Sequence, residues 1–151
     1  MSELSTDQLA QLIKDKHDCL TQLHKLVGEQ AARIDAGDMT HLLKILAAKQ
    51  QVLSALQNVE RQLDPFRDQD PQKRRWRSAE DRQRCARLVQ RCEVILSDII
   101  RREKLGEAQL TKRRDETATL LQGMHHASRT RGAYRNSDVR DGTSIDLTSE
   151  T

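Results

Sequence analysis

Between Asp35 and Leu56 the chain makes a turn and then enters a heptad, and few folds accommodate both. Gly37 suits the position just past a helix end, where a positive φ is tolerated only without a Cβ. Asp38 suits the N-cap of a following helix, its carboxylate accepting from the orphan amides at the positive end of the dipole. Met39, Leu42, Leu46, Leu53 and Leu56 then recur in a three-four rhythm, with Lys49 in the one gap. That rhythm is a coiled-coil seam. A turn this short between two seams predicts an antiparallel helical hairpin.

The other half of the hairpin lies upstream. Ser5 or Thr6 caps a first helix, with Asp7 in its first turn. Its seam is Leu9, Ile13, Leu20, Leu23, Val27 and Ile34, and the polar Lys16 and Gln30 occupy seam positions. Leu12, Cys19 and Leu26 run alongside, as do Ile45, Val52 and Val59 on the second helix. Faces wider than a strict a/d stripe call for a third partner.

The second helix is expected to stop at Asp64-Pro65, because the residue before proline disfavours the α region. Pro65 to Arg77 then makes a connection longer than the usual helix–helix turn. It holds Phe66 and Trp76, which predicts that part of it packs back on the bundle. Ser78 caps the third helix, with Asp81 at the capping-box position. Cys85, Leu88, Cys92, Ile95 and Ile99 form the apolar face of that helix, with Val89, Leu96 and Ile100 beside them. Beyond Ile100 the pattern thins to Leu105, Leu110, Leu120, Leu121 and Met124 among basic residues, and a bend is expected near Gly106. From Ser128 onward periodicity is lost, and a disordered tail is predicted. The expected architecture is all-α, an antiparallel coiled-coil hairpin plus a long third helix, bundle-like in section. One domain spans 1–128, with helices at about 6–35, 38–64 and 79–127, and a flexible tail covers 129–151.

Composition excludes much else. With 2% aromatic and 32% charged residues, the chain cannot fill a sandwich or an α/β core, but it can line a thin seam between helices. A net charge of +3 is too small to argue for nucleic acid. No apolar run approaches the ~20 residues that span a bilayer, and Met1–Asp7 is too polar for a secretory signal. No membrane insertion and a cytoplasmic location are expected. The three cysteines fall inside helical patterns, so Cys85 and Cys92 read as small buried hydrophobes rather than disulfide or metal ligands. His17, His24, His125 and His126 read as surface histidines. No glycine-rich phosphate loop, nucleophile elbow or paired catalytic carboxylates appear, so neither an enzyme nor a cofactor is expected.

Two features of the chain admit two readings each. Lys73-Arg74-Arg75-Trp76-Arg77 resembles a nucleic-acid patch. Asp68, Asp70, Glu80 and Asp81 flank it, which favours a solvated loop anchored by Trp76. A nucleic-acid-binding hairpin remains the alternative, as does a self-associating coiled-coil scaffold. Lys49 reads as a snorkelling lysine, roughly level with His24, whose methylenes cover the seam. The competing reading is a polar seam residue that fixes register.

The residues around the hairpin resemble the FlgN family of flagellar export chaperones. The resemblance rests on Leu26-Val27 and Glu29 in the first helix, Gly37-Asp38 in the turn, and Leu42, Leu46, Lys49 and Leu53 in the second. It is best from Leu9 to Leu63 and continues as overall architecture through the third helix. It implies a small, cytoplasmic, wholly helical protein without enzymatic activity or cofactor. Such chaperones hold the C-terminal helical segments of hook-associated proteins through their own C-terminal region and deliver them to the type III export gate. Here Leu110, Leu120, Leu121 and Met124 are spaced for one helical face and are the expected client-binding residues. Tyr134 stands where the family places a tyrosine that docks on the cytoplasmic domain of the gate. A monomer or weak homodimer is expected. The Pro65–Arg77 loop and the length of chain after Tyr134 depart from the family pattern.

Overall fold

The structure, a computed structural model, describes residues 5–135. It is all-α: α1 spans Thr6–Ala36, α2 Met39–Arg67 and α3 Ala79–Arg135, with a 3-10 turn at Pro71–Lys73 before α3. The chain divides into two compact units, one reaching Gly106 and one beginning at Glu107. The first holds α1, α2 and the N-terminal part of α3.

The hairpin turn forms as its residues require. Ser5 starts α1, its Oγ accepting from the Gln8 amide at 3.2 Å. At the far end Gly37 takes φ 68°, ψ 21°. The Gly37 amide donates to the Ile34 carbonyl at 3.1 Å and the Asp38 amide to that of Arg33 at 3.0 Å. This Schellman closure satisfies carbonyls that the helix leaves unpaired. Asp38 then caps α2, accepting from the His41 amide at 3.2 Å and meeting the His41 ring at 2.7 Å. That amide bond, with the ring, holds the Asp38 carboxyl below its ordinary range.

Two apolar clusters knit the three helices. Leu9, Leu12 and Ile13 of α1 pack with Val59, Leu63 and Phe66 of α2 and Cys85 of α3, and Trp76, Leu88 and Val89 close over them. Leu20, Leu23 and Val27 pack with Cys92 and Ile99, joined by Val52, Leu53, Leu56 and Ile95. Early α1 thus meets late α2, while α3 ascends beside α1. Leu20, Val27 and Ile34 are fully buried, which makes α1 the central member of the unit. The two rows expected on each hairpin helix find their third partner here.

The α2 seam is displaced from the expected one. Leu42, Ile45, Val59, Leu63 and Phe66 are buried, whereas Met39 and Leu46 are 47% and 40% exposed. With Lys49, Val52 and Leu56 the inner row keeps an unbroken three-four spacing from Leu42 to Phe66. This inner row takes Leu42 and Leu56 from one expected row and Ile45, Val52 and Val59 from the other, so the centre of the buried face lies between the two. On α3, Leu96 and Ile100 are also exposed, because that helix closes the bundle with one seam.

Two boundaries move. α2 passes the stop expected at Asp64 and ends at Arg67, with Pro65 in its last turn. Burying Phe66, a gain of about 2 kcal/mol, offsets the bond that proline cannot donate. Arg67 bonds both Glu60 and Asp64, and Arg74 caps the end by donating to the Phe66 carbonyl at 2.7 Å. The connection is therefore shorter than read, and it is tied to the start of α1: the Thr6 hydroxyl donates to the Arg75 carbonyl at 2.8 Å, and Arg77 pairs with Asp7 at 2.6 Å. Ser78 caps α3 as expected, accepting from the Asp81 amide at 3.1 Å. α3 runs to Arg135 rather than ending near residue 127. Gly132 alone costs a helix only about 1 kcal/mol, so nothing in 129–135 compels a stop. The rest of the expected tail, 136–151, lies outside the described residues.

Candidate functional site

The second unit presents an apolar face. Leu110, Leu120, Leu121 and Met124 are 39%, 65%, 42% and 60% exposed. At ~100° per residue they fall within an arc of about 100° on α3. Around them the helix is supported locally, by Lys112–Glu116 at 3.9 Å, Arg114–Asp115 at 3.7 Å and the Thr119 hydroxyl on the Asp115 carbonyl at 2.9 Å. Exposed ion pairs of this kind contribute little. The arrangement brings the four expected residues onto one helical face and leaves them open to solvent. Tyr134, expected in an aperiodic tail, has helical backbone one residue before the end of α3.

In the first unit, polar cross-links hold α3 to the hairpin. Lys49 does not snorkel. Its side chain is 11% exposed, and its Nζ donates to Gln30 Oε1 at 2.7 Å and to Glu103 Oε1 at 2.6 Å. It is level with Gln30, not His24, and the register-fixing reading is the one its contacts match. A partly buried ammonium needs such acceptors to offset its lost hydration. Gly106 lies against the same place: a Cβ there would come within 3.3 Å of Gln30 Nε2 and 3.9 Å of Ile34 Cδ1. That spacing lets α3 come close to α1.

A second cross-link corrects the reading of His24 as a plain surface histidine. Its Nε2 meets Asp98 Oδ2 at 2.6 Å. Arg101 donates to Asp98 Oδ1 at 2.6 Å and Arg102 to Oδ2 at 2.9 Å. The His24 bond first, and the two guanidiniums after it, hold the Asp98 carboxyl well below the usual carboxylate range. Sequence periodicity signals the apolar seam but carries no mark of these pairings. They join residues 54 and 74 positions apart.

Cys85 and Cys92 are buried, and burial pushes both thiols up. They pack as small apolar side chains in the two clusters. Among the described residues, no three His, Cys, Asp or Glu side chains gather as metal ligands, and no helix is long and apolar enough to cross a membrane. The basic run is largely committed to the fold. Trp76 packs half-buried on the first cluster, Arg74 caps α2, and Arg77 pairs with Asp7.

No family model, no characterised protein and no solved structure matches this chain.

Proposed function

We propose that the protein is a cytoplasmic export chaperone for flagellar hook-associated proteins. It holds a C-terminal amphipathic helix of its client along Leu110, Leu120, Leu121 and Met124 and delivers it to the type III export gate. The supporting observation is the face itself: among the described residues the second unit contributes nothing to either core cluster, and these four apolar side chains stand exposed along one face of it. A helix laid on such a face buries leucines that water otherwise surrounds. Tyr134 serves the gate in this reading.

Binding of a hook-associated C-terminal peptide tests it. The exposed parts of Leu120 and Leu121 together amount to about one side chain, whose burial contributes about 1.5–3 kcal/mol, and a carboxylate set in their place adds a desolvation cost. Leu120→Asp with Leu121→Asp is therefore expected to weaken the client peptide by at least ~100-fold, with the helical circular dichroism of the chain retained. Tyr134→Ala keeps client affinity and loses binding to the cytoplasmic domain of the gate. Unchanged client affinity in the leucine variant, or client release by the tyrosine variant alone, overturns the reading.

A further inference from the structure

On one side of the first unit, α1 and α3 bound a groove of about 700 Å³. It adjoins a recess of about 390 Å³ that shares His17, Arg87 and Arg91 with it and is lined by Val94 and Ile95. Arg84, Arg87 and Arg91 line the α3 wall on successive turns, and Lys14 lines the α1 wall. The lining holds five cations and three carboxylates. Two of the carboxylates are engaged, Asp7 with Arg77 at 2.6 Å and Asp81 with Arg84 at 3.2 Å. No ion pair among the described residues takes up Lys14, Arg87 or Arg91. Apolar surface lies among these charges: Ala10 and Leu88 in the groove, and Val94, which is 70% exposed, in the recess.

We propose that this groove binds an acidic amphipathic helix of a partner protein. The partner's carboxylates meet Arg87, Arg91 and Lys14, and its apolar side chains cover Leu88, Val94 and Ile95. Guanidinium forks match carboxylates in two-pronged geometry. From Arg84 to Ile95 the α3 wall is three turns long, about 16 Å, the length over which a partner helix offers glutamates three, four and seven residues apart. A nucleic acid fits less well. The apolar surface at Val94 and Ile95 offers a phosphate chain nothing to pair with, and the one tryptophan is packed on the core rather than free to stack. The face on the second unit plays no part, so this proposal stands whether or not the chaperone reading holds.

The test uses the full chain, with Trp76 at the groove as reporter. The probe is a synthetic helical peptide of about five turns, with glutamates at those spacings beside a row of leucines. A saturable change in emission is expected, with a dissociation constant of about 1–100 μM. Arg87→Glu with Arg91→Glu weakens it at least ~10-fold, and the same peptide with lysine for glutamate binds that variant better than the parent. Lys14→Glu, on the opposite wall, gives an independent second variant with the same expected direction. Equal binding by a glutamine-for-glutamate or a serine-for-leucine peptide overturns the proposal. So does tighter binding of single-stranded oligothymidylate, or no binding of the acidic peptide at ~1 mM.

Discussion

Lys49 separates what a seam position announces from what it does. Glu103→Gln is expected to lower stability by about 1–2 kcal/mol in urea unfolding, since it leaves a poorly solvated ammonium with only Gln30 and a neutral amide. Lys49→Met with Glu103→Leu recovers most of that loss, because two apolar side chains then replace the pair. A double-mutant cycle with coupling near zero would show that the contact contributes nothing. The sequence marked Lys49 as an oddity in the seam but not as a partner. Its acceptors lie 19 and 54 residues away, and only the packed helices bring them together. His24 was opaque for the same reason. Cys85 and Cys92, by contrast, were legible, because their heptad spacing alone puts them on the buried face.

Among the elements, the turn was the most legible, since glycine and aspartate act there through local geometry. Gly37→Ala is expected to cost about 1 kcal/mol, the strain of a Cβ at φ 68°, while Gly37→Asn costs less. Equal stability of the alanine variant in urea would show that the turn relaxes out of the left-handed region. The α2 seam was less legible. Two apolar rows run side by side, and where the buried face falls between them depends on where α3 docks. Pro65 was read by a local rule that Phe66 and Arg67 override through long-range packing and capping. The exposed face of the second unit was legible as leucines at helical spacing. The cationic groove went unread in the sequence: Arg84, Arg87 and Arg91 recur at helical spacing, but their opposite wall comes from α1.

At the scale of the molecule, the first unit is assembled from a local part and a distant one. α1 and α2 meet across a two-residue turn, whereas the α3 residues that complete both clusters follow after the Asp68–Ser78 connection. Local contacts close sooner than distant ones. In refolding, amides flanking Gly37 are therefore expected to gain exchange protection before those of Cys85–Ile99, and simultaneous protection would refute that order. The same asymmetry acts during synthesis, when the ribosome releases the N-terminus first. For the seconds before Cys92 and Ile99 emerge, a nascent hairpin carries Leu20, Leu23 and Val27 with one side uncovered. On a crowded polysome that open side is apolar surface within reach of neighbouring nascent chains, so the arrival of α3 shortens the time for which it is exposed as well as completing the core.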